Sequence, residues 1–261
     1  MKAILMGKHK RSAVGALDHL VHRGVEVVAV VAPPEAAGAA DTQRLDLAAR
    51  RHGIELVDDG ELYARIERGE LADIDLVLSF LFWKRIRGPL IALPRLGCLN
   101  FHPAPLPDMR GMGGFNVAIL EGFAEWGVSG HFVDEDFDTG DLVRVDRFPI
   151  TPDATALSLD IESQGRLLGL FGDVIDLAVE GRDLPREPQG EGRYVTREEF
   201  EALRRIPPDE DPTTLERRIR AFWYPPYDGA TIEIAGRTVS VVDQGLLREA
   251  AEANKAAGIL P

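Results

Sequence analysis

The chain has 261 residues, of which 45% are hydrophobic and 28% charged, and a formal net charge of −13. That size suits one large domain, or one domain with a small appendage, in a soluble globular protein. The acidic total speaks against long contacts with a nucleic acid backbone. No apolar run reaches the roughly eighteen residues of a transmembrane helix, so neither nucleic acid nor membrane is an expected partner.

Cys98 is the single cysteine, so an internal disulfide is excluded. It lies in an apolar run and reads as a small buried residue. The N-terminus turns basic at Lys8, too soon for a secretory signal. A reducing cytoplasm is the expected setting.

In chain order, Lys2 to Met6 reads as a strand ending at Gly7. Val14, Leu17, Leu20 and Val21 give Ser12 to Val21 a helical period. Val25 to Val31 is a continuous apolar run, as in a central parallel strand covered on both faces. Pro33-Pro34 opens a loop reaching Ala40. Thr42 to His52 reads as a helix, Ile54 to Val57 as a short strand and Glu61 to Arg68 as a helix. Leu76 to Phe80 and Gly97 to Phe101 are further strands. This alternation predicts right-handed βαβ units, hence an α/β, Rossmann-like, mostly parallel sheet with flanking helices.

After a short amphipathic run, Phe115 to Glu121, comes a long apolar helix over Ala154 to Val179. Glu180 to Gly192 is rich in proline, glycine and charge, which marks a boundary. We expect a catalytic domain over residues 1–185 and a small α+β subdomain over 186–261. In the latter, helices near Thr196 to Arg205 and Thr213 to Phe222 precede a hairpin. Its strands, Thr231 to Ile234 and Thr238 to Val242, are joined by Ala235-Gly236-Arg237. Gln244 to Ala257 forms a last amphipathic helix.

Neither common glycine-rich phosphate fingerprint follows the first strand, only Gly7-Lys8-His9-Lys10. Dehydrogenase and NTPase readings lose support accordingly. In open sheets of this kind ligands bind beyond the carboxyl ends of the strands. Gly7 to Arg11, Ser79 to Gly88 and His102 to Gly114 fall there and are the expected walls of a cleft.

The chemistry concentrates between Leu99 and Phe148. Asn100 and His102 are two residues apart at a strand end, so both side chains share one face. Pro103, Pro105 and Pro107 then stiffen the exit. Asp138 stands in an Asp138-Thr139-Gly140-Asp141 turn. An amide donor, an imidazole and a carboxylate suit a reaction with a developing oxyanion and a proton to move. A lone histidine in a proline-rich loop is more often just hydrogen-bonded. Its pairing with Asn100 and the distant turn favours catalysis. His131 and Asp134 are two candidate metal ligands, too few for a site, and no metal is expected.

Asn100-Phe101-His102-Pro103-Ala104-Pro105-Leu106-Pro107, followed by Arg110-Gly111, resembles the signature of the folate-dependent formyltransferases. Gly127-Val128-Ser129-Gly130-His131 and Asp138-Thr139-Gly140-Asp141 match its second half in order and spacing. The resemblance covers about residues 1 to 180 and is dense in the centre. It implies that Asn100, His102 and Asp138 are the catalytic trio and that 10-formyltetrahydrofolate is the formyl donor. It further implies that Phe80, Leu81, Phe82, Trp83 and Ile86, with Asp134, Thr139, Gly140 and Asp141, flank the folate. Core packing is an equally serious reading of Trp83. Lys8, His9, Met109, Arg110 and Gly111 are expected to bind the acceptor.

Within that family the expected acceptor is a small amine, foremost an amino sugar on a nucleotide carrier, as in lipopolysaccharide or antibiotic sugar biosynthesis. Methionyl-tRNA is the first alternative. Against it stand the absence of Lys and Arg in the loop Ala32 to Thr42 and the short stretch after Thr196. N-hydroxyornithine formylation, formyltetrahydrofolate hydrolysis and a catalytically dead binding protein are the others. A homodimer is compatible with the sequence. Phe222 to Asp228 crowds aromatics and prolines behind Arg217, Arg218 and Arg220. Arg220, Tyr224 and Tyr227 are expected on the acceptor side, through stacking and diphosphate pairing. Trp223 reads rather as a staple of the C-terminal part.

Overall fold

The structure, a computed structural model, describes residues 1–34 and 40–256. From the N-terminus, β1 (Lys2–Gly7), α1 (Arg11–His22) and β2 (Glu26–Val31) form a first βαβ unit. Then come α2 (Leu45–Arg51), α3 (Asp59–Glu67), β3 (Leu76–Phe80), α4 (Gly88–Ala92) and β4 (Gly97–His102). β5 (Met109–Gly111), α5 (Gly114–Leu120), β6 (Glu125–Phe132), β7 (Leu142–Pro149) and α6 (Ala156–Val179) follow. Last are β8 (Arg193–Val195), α7 (Arg197–Arg204), α8 (Pro212–Ala221), β9 (Ala230–Ile234), β10 (Arg237–Val241) and α9 (Gln244–Ala256).

The central sheet has the order β2-β1-β3-β4-β6-β7. β1 runs parallel to β2 and β3, and β3 parallel to β4, while β6 is antiparallel to β4. Both faces are covered, which is why the strands read as unbroken apolar runs. On one face Ile4, Met6, Val77 and Cys98 pack with Leu62 of α3 and Leu90 of α4. On the other, Phe80 and Phe101 meet Phe171 of α6, with ring centroids 5.5 and 4.7 Å from that of Phe171. Cys98 is buried, and desolvation pushes its thiol pKa well up.

The expected elements form, with two corrections. Thr42 to His52 is not one helix: a 3-10 turn over Asp41–Gln43 is separated from α2 by Arg44 in an extended conformation. Arg44 donates from Nε and Nη2 to both carboxylate oxygens of Asp46, at 2.7 and 2.6 Å. Residues two apart do not face each other on a helix, so the buried bidentate pair requires the break. Ile54 to Val57 makes only an isolated bridge, Leu56 to Val30, rather than a strand. The loop expected from Pro33 to Ala40 falls largely on residues 35–39, outside the described residues.

Strand β6 carries no strong sequence signal, because Gly127 and Gly130 interrupt its side-chain pattern. A Cβ on Gly127 would stand 2.9 Å from the Asp146 carbonyl oxygen, and one on Gly130 3.0 Å from Leu170. Close backbone approach, not side-chain bulk, is what these positions supply.

The chain groups into two units. One comprises Met1–Gly111, Gly127–Phe148 and Glu162–Arg193; the other comprises Met112–Trp126, Pro149–Ile161 and the chain from Tyr194 on. In the second, α5 packs on α8 and Asn116 donates to the Ala221 carbonyl at 2.6 Å. Thr196 and Asp211 cap α7 and α8 through their side-chain oxygens. Among the described residues, no helix is long and apolar enough to cross a membrane.

Candidate active site

Strand register builds the site. β3 and β4 place Ser79 beside Asn100, and β4 and β6 place Asn100 opposite His131. In-register neighbours project to the same face, so a row of three polar side chains crosses the sheet near its carboxyl end. Ser79 Oγ donates to Asn100 Oδ1 at 2.7 Å. With its oxygen engaged, the amide turns Nδ2 to His131 Nε2 at 3.0 Å and to Asp138 Oδ1 at 3.3 Å. His131 Nδ1 lies 2.7 Å from the Phe132 carbonyl oxygen, an acceptor, so this nitrogen carries the proton. Nε2 is then a lone pair that accepts from Asn100.

His102 Nδ1 stands 3.7 Å from Asp138 Oδ1, and both side chains are 15% exposed. Burial lowers the His102 pKa from its ordinary 6.5; Asp138 opposes that pull and His131 adds to it. The imidazole is therefore neutral at pH 7. Burial alone would raise Asp138, but His102, His131 and Arg110 outweigh it and bring its pKa to about 2. The site thus holds a neutral base beside a fixed carboxylate.

Asp138 has φ +57°, a left-handed conformation that is costly for a non-glycine residue. Its turn is pinned from within. Thr139 Oγ1 donates to Asp134 Oδ1 at 2.6 Å, and Phe132 N to the Asp141 carbonyl at 2.8 Å. A Cβ on Gly140 would stand 2.0 Å from the Phe132 carbonyl oxygen, so the turn admits only glycine there. Leu81, after β3, also has φ +56°.

Next to this cluster a cleft of about 290 Å³ opens, lined by Leu81, Phe82, Trp83, Ile86, Val133 and Phe137 as apolar wall. Asn100, His102, His131, Asp134 and Asp138 form the polar part, with Lys8 and Gly111 at the margin. Phe82 and Trp83 rings lie 4.6 Å apart, and the Arg85 guanidinium lies over the Phe137 ring at 5.7 Å. Apolar walls with a few convergent polar groups suit a flat heterocycle.

The structure thus brings Asn100, His102 and Asp138 together and gathers Lys8, Leu81, Phe82, Trp83, Ile86, Gly111 and Asp134 around them. Phe80, fully buried in the aromatic core, has no face on the cleft. Thr139, Gly140 and Asp141 shape the turn instead of lining the cavity. His9 is half-buried and accepts from Leu45 N at 3.3 Å, and Met109 is buried. Arg110 donates through Nη2 to Gln189 Oε1 and the Gly190 carbonyl, at 2.9 and 3.1 Å. Arg220, Tyr224 and Tyr227 belong to the second unit. There Arg220 donates to Glu216 and to the Ala154 carbonyl, and the Tyr224 hydroxyl donates to Asp160. Tyr227 is 71% exposed.

Sequence reading passed over Ser79 and His131 as members of the cluster. Only the register shows them, since the antiparallel turn back into β6 is what sets His131 against Asn100. Among the described residues no group of three or more His, Cys, Asp or Glu is arranged for a metal ion.

Residues 4–164 match the family described as formyl transferase. A GDP-perosamine N-formyltransferase from Brucella melitensis biotype 1 is 32% identical over 176 residues, 67% of this chain and 67% of that protein. A methionyl-tRNA formyltransferase from Parvibaculum lavamentivorans is 34% identical over 253 residues, 92% of this chain and 79% of that protein. Among solved structures, an N-formyltransferase from Helicobacter canadensis, in complex with folinic acid and dTDP-3-aminofucose, has a similar fold. Its TM-score is 0.74 at 22% identity, covering 90% of this chain and 85% of that one.

Proposed function

The chain belongs to the formyl transferase family, and from that premise we propose that it moves a formyl group from 10-formyltetrahydrofolate to the amino group of a nucleotide-linked sugar. The observation that carries the chemistry is the Asn100–His131–Asp138–His102 cluster at the mouth of an apolar cleft.

The proposed step is a displacement at the formyl carbon. The amine nitrogen attacks and a C–N bond forms. The carbonyl π electrons move onto oxygen, giving a tetrahedral oxyanion. Asn100 Nδ2 donates to that oxygen, which takes over the longer of its two contacts, the one to Asp138. Neutral His102 accepts the proton of the attacking amine and returns it to the folate nitrogen as the old C–N bond breaks. Asp138 stays ionised throughout and stabilises the imidazolium that forms in between. The apolar wall of Leu81, Phe82, Trp83 and Ile86 takes the pterin and keeps water from competing as nucleophile.

Three features support a sugar over tRNA as the acceptor. The net charge is −13, the segment Ala32 to Thr42 carries no Lys or Arg, and a curated relative at 32% identity is a GDP-perosamine N-formyltransferase. The test is a screen of GDP- and dTDP-linked amino sugars with 10-formyltetrahydrofolate, read by mass spectrometry. The proposal expects one sugar to gain one formyl group with release of tetrahydrofolate. Formylation of methionyl-tRNA alone would overturn it.

A further inference from the structure

Residues 186–190 have the composition of a linker, but they are bound to the reacting centre. Leu142 and Glu187 exchange two backbone hydrogen bonds, at 2.8 and 3.0 Å. The Arg186 guanidinium lies on the Phe132 ring, 3.4 Å from its centroid. Gln189 does more than either. Its Nε2 donates to the Gly140 carbonyl at 2.6 Å, and its Oε1 accepts from Arg110 Nη2 at 2.9 Å. A side-chain amide can donate to a carbonyl and accept from a guanidinium at once within one planar group.

Both ends of that bridge bear on Asp138. Gly140 lies two residues beyond it in the same turn, and Arg110 is one of the charges that hold the carboxylate ionised. Arg110 Nε is buried without a partner among the described residues, so the fixing of this guanidinium falls on its Nη2 contacts to Gln189 and Gly190. Asp138 needs such help, since a left-handed non-glycine residue persists only where its surroundings over-determine it. The contacts within the turn, Thr139 to Asp134 and Phe132 to Asp141, secure one side of it. Gln189 secures the other.

We infer that Gln189 is a positioning residue of the reacting centre, tying the β5 arginine to the Asp138 turn and so setting the carboxylate against His102 and Asn100. This rests on the catalytic reading of Asp138 given above. The titratable and charged groups facing Asp138 are His102 from β4, His131 from β6 and Arg110 from β5; those facing His102 are Asp138 and His131.

The test uses Gln189→Ala and Gln189→Glu in the full chain. The glutamate keeps an acceptor for Arg110 and loses the donor to Gly140, so it isolates the link to the turn. Two readouts are taken beside the melting temperature. One is the His102 imidazole midpoint, followed by nitrogen-15 NMR. The other is kcat and KM for formyl transfer from 10-formyltetrahydrofolate to the sugar acceptor found in the screen. Asp138 raises the His102 pKa in the wild type. With the turn untied, both variants should show the His102 midpoint lowered by about one pH unit. Their kcat should fall by about tenfold while both KM values stay within about twofold. A purely structural glutamine would lower the melting temperature and leave the His102 midpoint and kcat in place, and that result overturns the inference. A wild-type chain that transfers no formyl group while the midpoint still moves in both variants upholds the positioning role and refutes the transferase reading instead.

Discussion

Asn100 is the residue on which the site turns, because its amide has two ends and only one can serve an oxyanion. Ser79 settles which. Removing the hydroxyl in Ser79→Ala leaves Oδ1 without its donor, so the orientation of the amide rests on His131 and Asp138 alone. We expect a fall in kcat with little change in KM. Asn100→Ala removes the donor itself and should cost roughly 100- to 1000-fold in kcat. Steady-state kinetics on variants shown to be folded by circular dichroism check both. His131→Ala should resemble Ser79→Ala, whereas His131→Gln retains an acceptor for Asn100 and should recover part of the rate.

The same residues set the response to acid. His102 has its pKa lowered below 6.5 in the folded chain, so the unfolded chain takes up this proton first as pH falls. Its contribution to stability is complete above pH 6.5 and declines below it. Asp138 works in the same direction further down: its stabilisation is whole above the ordinary 3.8 and is lost as pH falls toward about 2. Thermal unfolding followed across pH should therefore show a declining melting temperature below pH 6.5. His102→Asn should flatten the part of that decline nearest 6.5. The acid limb of the pH–rate profile should likewise lie below 6.5, since neutral His102 is the base.

Among the elements, the loop leaving β4 shows how a catalytic strand end is held. Ser129 on β6 is fully buried; it accepts from Leu106 N at 2.9 Å and donates to the Ala104 carbonyl at 2.8 Å. Ser129→Ala leaves a buried N–H unpaired, at a cost of about 1 to 3 kcal/mol, measurable by urea unfolding. It should also lower activity, since the loop begins at His102. Gly140→Ala is a sharper case. Its Cβ would meet the Phe132 carbonyl at 2.0 Å, so the turn carrying Asp138 cannot close. Loss of activity with a lowered melting temperature is the expected outcome. The apolar strands and the amphipathic helices were legible because burial on two faces, or on one, writes its period into the sequence. The α2 break was not, because it depends on Arg44 reaching Asp46 two residues on, a local ion pair that no periodicity carries. Nor was β6, whose Gly127 and Gly130 serve close approach.

For the molecule as a whole, the trio of Asn100, His102 and Asp138 was legible from the spacing of two residues and from a family resemblance. Ser79 and His131 were not, since they join the trio only through pairing across three strands. Gln189 lay hidden for another reason: it sits in a stretch whose proline and glycine content reads as a linker. The second unit holds Tyr227, the exposed aromatic of the run after α8. The net charge of −13 belongs to this scale too, and it bears on the choice of acceptor.

That choice is tested most directly by a competition. With 10-formyltetrahydrofolate saturating, kcat/KM is measured for the best nucleotide-linked amino sugar and for methionyl-tRNA, each with wild type and with Asp138→Asn. The expected kcat/KM for the sugar is at least about a hundredfold above that for the tRNA, and it collapses in the Asp138 variant. A higher kcat/KM for methionyl-tRNA, or a sugar rate that survives Asp138→Asn, would overturn the assignment of the acceptor and of the site.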